Sequence, residues 1–320
     1  MTPSVIFLIG MPRSGTKLLR DLLNHHKDVA IFPHETHFFR PLHQTFAEYG
    51  DVTNWDAFSK LYADFQNATF FKRMEKRGSR ISADDWFREL RGSEFRHVLE
   101  ALFATYRKMT GCPIVGDKTP EYITQLPLLG RAFPRAKFVH IFRDPRDYAL
   151  SIRKAWQKNL PRATQRWKQG IRKCRADASR CKLDYVEVRY EDLVTEPRQT
   201  LGHVCGFLGI QFCEDMLVFD HPSENIGDTR GALAVVSDNF GKWNEQLGAN
   251  EIKKLEAIAG VLMVELGYSV VHQAGDQDLG PGRMAIARTQ DAVNLLRYTI
   301  KEEKGILAGL RQTRRVARFS

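Results

Sequence analysis

Residues 10–17, Gly-Met-Pro-Arg-Ser-Gly-Thr-Lys, put two glycines, two hydroxyls and two cations into one short stretch. The apolar run Val5–Ile9 precedes it, and Leu18, Leu19, Leu22 and Leu23 follow at helical spacing. A strand, a glycine loop and a helix in that order aim backbone N–H groups and a helix N-terminus at an anion. Gly10 and Gly15 permit the tight path, Ser14 and Thr16 supply hydroxyl donors, and Arg13 and Lys17 supply positive charge. A plain turn is the alternative, and the flanking elements argue against it. Measured against the triphosphate loop G-x-x-x-x-G-K-[ST], the last pair is inverted to Thr16-Lys17 and Arg13 intrudes. No apolar strand ends in an aspartate suited to Mg²⁺, so a P-loop kinase fits poorly and no metal is expected.

Other loops carry matching chemistry. "PIVGDKTPEY" (113–122) reads as a strand that ends in a charged loop at Lys118. "FVHIFRDPRDYALS" (138–151) reads as a strand over 137–142, a polar turn with Arg143, and a helix from about Pro145. Ser151 then falls about one turn into that helix. Arg13, Lys17, Lys118 and Arg143 together suit a ligand with phosphates at two separate positions. "FPHETHFF" (32–39) offers His34, Glu35 and His37 as side chains able to take up a proton.

These loops need a scaffold that brings them to one edge. Strands are expected over 4–10, after residue 27, over 113–118 and 137–142, and in "LDYVEVRYEDLV" (183–194). Helices are expected over 15–26, from Pro145, over 198–209 and over 250–266. Repeated strand-loop-helix units imply an α/β fold with a central, mainly parallel sheet flanked by helices. Ligands of such sheets sit at the carboxyl ends of the strands. The aromatics of residues 40–110 read as core packing of a mostly helical insertion.

"GMPRSGTKLL" resembles the 5′-phosphosulfate loop of the sulfotransferases, and "FVHIFRDPRDYALS" is similar to their 3′-phosphate strand-loop-helix. "RYEDLVTEPRQTLGHVCGFLGI" and the late "GKW…LGY" also resemble that family, closest to its tyrosylprotein-sulfotransferase-like branch and bacterial relatives. The resemblance runs from residue 4 to about 268 and is thinnest over 40–110. It implies a P-loop-like three-layer fold. The implied donor is 3′-phosphoadenosine 5′-phosphosulfate (PAPS), with 3′-phosphoadenosine 5′-phosphate (PAP) as product. By resemblance Arg13 contacts the leaving phosphate and the sulfonate, while Ser14, Gly15, Thr16 and Lys17 wrap the 5′-phosphate. Lys17 departs from that branch, which has a second threonine there. Arg143 and Ser151 match the 3′-phosphate contacts, Tyr190 a nucleotide-contacting tyrosine, and Lys242 a late lysine that closes over the donor. A core aromatic on a strand is the alternative for Tyr190. Lys118 matches a lysine near the transferring sulfonate. Glu35 matches the general base, the alternatives being a neighbouring histidine or a salt bridge from Glu35 to Lys118 or Arg13 that only orders the loop.

Composition bounds the remaining classes. The chain has 320 residues and a formal net charge of +10. From Arg283 onward nine Lys/Arg oppose three acids, so only +4 belongs to the preceding residues. The basicity therefore says little about the body, and no nucleic-acid partner is expected. Cys112, Cys174, Cys181, Cys205 and Cys213 show no C-x-x-C spacing and read as free thiols. Met1–Ser4 leads straight into the first strand, so no leader and a cytoplasmic location are expected. The expected organisation is a sulfotransferase domain over 1–272, with 40–110 on its acceptor side, a linker over 273–283 and a basic helical tail over 284–320. Apolar Ile286, Val293, Leu296, Ile300, Ile306, Leu307 and Leu310 mark that tail for packing on the domain, a homo-oligomer contact or peripheral membrane contact. The acceptor is expected to bear a hydroxyl: a carbohydrate, glycolipid, peptide tyrosine or small molecule. A non-catalytic interaction protein on the same fold is the other alternative. Acceptor specificity is expected from 40–110 and from loops around 160–180 and 223–240.

Overall fold

The computed structural model describes residues 4–37, 39–219 and 229–303. They divide into two compact units: residues 4–142, 171–219 and 233–235 in the first, and 143–170, 229–232 and 236–303 in the second.

In the first unit, strands β1 (Ser4–Ile9), β2 (Val29–Ile31), β3 (Ile114–Lys118), β4 (Lys137–Phe142) and β5 (Asp184–Arg189) form one sheet in the order β2-β3-β1-β4-β5. Every pairing is parallel. The helices, in chain order, are α1 (Thr16–Asn24), α2 (Phe39–Thr45), α3 (Trp55–Asn67), α4 (Thr69–Lys76), α5 (Ala83–Glu89), α6 (Phe95–Thr110) and α7 (Leu126–Ala132). Then follow α8 (Pro145–Trp156), α9 (Leu160–Arg180), α10 (Tyr190–Thr195), α11 (Pro197–Leu208), α12 (Trp243–Gln246), α13 (Ala249–Glu265) and α14 (Pro281–Glu303).

Alternation along β1 builds two cores. Ile6 and Leu8 join Leu18, Leu19, Leu22 and Leu23 of α1 and Leu201, Val204 and Leu208 of α11 on one face. Phe7 points the other way, stacked on Phe138 at 5.4 Å and edge-on to Phe103 at 5.9 Å. Both faces being covered explains why β1 is apolar from Val5 to Ile9 rather than alternating. Residues 40–110 are largely helical, and Phe58, Phe65 and Phe71 ring the fully buried Trp86, a satellite core as expected.

Three expectations need correction. The segment 183–194 is a strand only to Arg189; Tyr190 opens α10. Residues 160–180 are one helix, not loops. Thr164, Trp167, Ile171, Cys174 and Ala178 recur at three- and four-residue spacing and are buried, and this stripe outweighs the charged residues between them. Ser151 is the seventh residue of α8, nearly two turns in rather than one.

In the second unit, residues 274–278 are anchored. Gly275 N–H donates to the Glu256 carbonyl, and buried Lys168 pairs with Asp276 at 2.9 Å and Asp278 at 2.6 Å. The tail helix α14 docks by polar contacts: buried Asp291 accepts from the Asn159 N–H and pairs with Arg162. Its apolar Ile286 (60% exposed) and Val293 (41%) face outward. Residues 304–320, including Ile306, Leu307 and Leu310, lie outside the described residues, as do residues 223–228 of the expected 223–240 loop. Among the described residues no helix is long and apolar enough to cross a membrane.

Candidate active site

In the first unit, three segments converge on the carboxyl edge of the sheet. Parallel register sets Lys118 opposite Leu8, two residues before Gly10, and sets Ile31 opposite Gly116. The loop 10–15, the segment 32–37 and the end of β3 therefore begin side by side.

The loop has the backbone of an anion cradle. Arg13 (φ 70°) and Gly15 (φ 90°) are left-handed and flank Ser14. Alternation of hand along a loop gathers successive N–H groups into a concave nest. A Cβ on Gly15 would lie 2.4 Å from Tyr190 Cδ2, and one on Gly10 would lie 2.4 Å from the Ile141 carbonyl oxygen. Only glycine allows this close seat. Ser14 is fully buried, and its Oγ has no hydrogen-bond partner among the described residues. The first turn of α1 holds Lys17 and no acid. A cation at a helix N-terminus opposes the helix dipole, and a bound anion would offset both. The residues present therefore fit a phosphate or phosphosulfate. Tyr190 sits beneath the loop as a core residue, 4% exposed and packed in the same cluster as Leu18 and Leu19. Its ring floors the cradle.

Beside the loop, Glu35 is held from two sides. Lys118 Nζ, 4% exposed, pairs with Glu35 Oε1, and His37 Nε2 lies 2.9 Å from Oε2. Of the two salt bridges expected as alternatives for Glu35, the structure contains the one to Lys118. His37 Nδ1 reaches Glu121 Oε2 at 3.2 Å. Behind this pair lies a buried polar web absent from the sequence reading. Thr36 N–H donates to Thr119 Oγ1 at 3.0 Å, and Thr36 Oγ1 bonds Asp117 and, at 2.5 Å, the Tyr122 hydroxyl. Its signal in sequence is the polar run Asp117-Lys118-Thr119 at the end of a buried strand, where each polar group must find a partner.

Burial would raise the Glu35 pKa, but the His37 hydrogen bond and the Lys118 charge outweigh it and hold the carboxyl at about 2. Burial would lower that of His37, but its bonds to Glu121 and Glu35 outweigh this and raise it to about 9. Burial, together with the charges of Arg77, Arg73 and Arg20, lowers His34 to about 4. Burial pushes Asp117 up to about 6. At neutral pH Glu35 is thus a carboxylate held between Lys118 and an imidazolium.

The second unit orders its own cationic loop. Asp144 caps α8 by accepting from the Arg146 N–H at 2.8 Å, and Pro145 occupies the first turn. Asp147 straps the segment 241–243 to that turn, accepting from Gly241 N–H at 2.6 Å and Trp243 N–H at 3.1 Å. Arg143 and Lys242 meet on Asn239: Arg143 Nη2 donates to its carbonyl at 2.6 Å, Lys242 Nζ to its Oδ1 at 2.8 Å. Arg146 takes no part in that meeting. It is buried in ion pairs with Asp144 and Glu256 and stacks 3.5 Å over Trp243.

A family model described as the sulfotransferase family matches residues 3–215. The nodulation protein NoeE of Sinorhizobium fredii is 24% identical over 83% of this chain and 66% of its own length. A protein-tyrosine sulfotransferase of Drosophila melanogaster is 24% identical over 82% of this chain and 51% of its own. This chain thus spans only part of the length of those relatives. Among solved structures, the sulfotransferase domain from the curacin biosynthetic pathway superposes with a TM-score of 0.56 at 20% identity, covering 84% of this chain and 99% of that domain.

Proposed function

We propose a reaction that proceeds from one premise: the chain belongs to the sulfotransferase family. It transfers a sulfuryl group from PAPS to the hydroxyl of an acceptor. The observation that carries this reading is the loop 10–17, with its left-handed Arg13 and Gly15 and the buried, unpartnered Ser14 hydroxyl beside a Glu35–Lys118 pair.

Each residue then has a task. Backbone N–H groups of the loop, with Ser14, Thr16 and Lys17, hold the 5′-phosphate, and Tyr190 supports the loop from below. Arg143 and Ser151 take the 3′-phosphate, and Lys242 closes on the donor. The acceptor oxygen bonds to sulfur as the bond from sulfur to the 5′-phosphate oxygen breaks. That phosphate oxygen keeps the electron pair. Arg13 and Lys118 stabilise the charge that builds on it and on the sulfonate oxygens. The acceptor proton passes to Glu35. With two cations on it, Glu35 is a weak base in the free protein. Lys118, drawn to the sulfonate, releases Oε1 and raises the basicity of the carboxylate when the proton must move. A kinase reading would need a lysine at position 16, where Thr16 stands.

The test is a transfer assay with ³⁵S-labelled PAPS and a panel of carbohydrate, glycolipid, tyrosyl-peptide and small phenolic acceptors, with Glu35→Gln as blank. Label on an acceptor class with wild type and at least about a hundredfold less with the variant is expected. Equal labelling by both overturns the base assignment. No labelling of any class, with transfer of phosphate from ATP instead, overturns the reaction.

A further inference from the structure

We infer that His37 is a positioning residue that clamps Glu35: its ring spans the carboxylates of Glu35 and Glu121 and fixes the direction in which the base faces. The inference rests on the reading of Glu35 as the base.

The geometry is specific. His37 Nε2 lies 2.9 Å from Glu35 Oε2, and Nδ1 lies 3.2 Å from Glu121 Oε2. Two carboxylates on the two ring nitrogens require both nitrogens to carry hydrogen, so the ring is an imidazolium and has no lone pair with which to accept a proton. His37 is therefore unsuited to be the base itself. Its backbone is left-handed at φ 55°, unusual for a residue with a side chain and held only where the surroundings dictate it. Glu121 opens the 3-10 turn Pro120–Thr124 directly after β3, so the clamp ties the 32–37 segment to the same strand end that carries Lys118. Lys118 holds Oε1 and His37 holds Oε2. When Lys118 turns toward a sulfonate, the clamp keeps the carboxylate in place.

The charges around the ring agree. Glu35 and Glu121 bond the ring, Asp117 acts on it through charge, and the cation Lys118 pairs with Glu35 beside it. Its pKa is raised, so the clamp holds at neutral pH and is lost as pH rises through about 9.

His37→Phe and His37→Arg separate a clamp from a base, because a guanidinium can bridge two carboxylates but cannot accept a proton. Loss of the clamp is expected to lower kcat about 10- to 100-fold in His37→Phe, with donor KM little changed. His37→Arg is expected to stay within a few fold of wild type and to lose the alkaline fall in rate near pH 9. Equal inactivity of both variants, with PAP binding and thermal melting intact, overturns the clamp. Independently of activity, ¹⁵N NMR of the imidazole is expected to show both nitrogens protonated at pH 7.5, with a pKa that drops by about one unit or more in Glu121→Gln. A ring that titrates near 6.5 in wild type and variant alike also overturns it. Failure of the underlying reading looks different: Glu35→Gln would keep full turnover while the His37 ring still titrates high.

Discussion

Gly15→Ala probes the anion loop at its tightest point. At φ 90° and ψ 10° an alanine sits in the left-handed region, which costs about 1–2 kcal/mol. Its Cβ would lie 2.4 Å from Tyr190 Cδ2 and 2.9 Å from Cε2, well inside contact distance. Tyr190 is buried among Ile141-side apolar residues, so moving its ring strains the core by about another 1–3 kcal/mol. The reduced chain entropy of the unfolded alanine variant returns about 0.5 kcal/mol. A net loss of about 2–4 kcal/mol is expected in urea unfolding followed by tryptophan fluorescence. The double-mutant cycle with Tyr190→Ala isolates the clash. Without the ring, Gly15→Ala retains only the backbone cost, so a coupling of about 1–3 kcal/mol should appear. PAP affinity should fall in Gly15→Ala and recover in part when the ring is removed. A Gly15→Ala penalty of the same size in both backgrounds would refute the idea that the ring sets the loop's path.

Other expectations follow from buried charge. Asp117 has a folded pKa of about 6 against 3.8 unfolded, so the native state binds the extra proton between those values. Its share of stability falls as pH rises from about 4 to 6, by about 3 kcal/mol for a shift of roughly two units. Asp117→Asn should remove that fall, read as the difference between the two stability curves; parallel curves would contradict it. Glu35 acts in the opposite direction, stabilising above about 4.5 and losing that contribution as pH falls toward 2. Glu256 is fully buried, pairs with Arg146 and accepts from the Val271 and His272 N–H groups. Glu256→Ala should cost about 3–5 kcal/mol in urea unfolding, and a cost below 1 kcal/mol would deny it that role. Asp291→Ala strips Asn159 N–H and Arg162 of their partner and should cost about 1–3 kcal/mol, with earlier tryptic cleavage around 273–283; unchanged cleavage would mean α14 is held by other contacts.

Local signals in the chain were the legible ones. The strand 137–142 and the helix from Pro145 stand where the apolar run, Asp144 and the proline put them. The parallel sheet followed from strand-loop-helix repetition, and the loop 10–17 from its glycines and flanks. The switch at Tyr190 was hidden because alternation in "DYVEVRYEDLV" continues past the last ladder hydrogen bond. Helix α9 was hidden by its many charges, which mask the stripe from Thr164 to Ala178. At the site, Glu35 and Lys118 could be named singly, but Lys118 and Glu121 lie 83 and 84 positions from their partners Glu35 and His37. Such pairings are set by register between β2 and β3, which no local pattern encodes. The docking of α14 through Asp291 rather than its apolar stripe is a tertiary fact of the same kind.

The central claim, a donor recognised by a 3′-phosphate as well as a 5′-phosphosulfate, is tested most directly by calorimetric titration. Wild type and Arg143→Ala would each be titrated with PAP and with adenosine 5′-phosphate, which lacks the 3′-phosphate. Wild type is expected to bind PAP at least about a hundredfold more tightly, and Arg143→Ala to lose most of that difference while its affinity for adenosine 5′-phosphate hardly changes. Equal affinity of wild type for the two nucleotides would contradict the account.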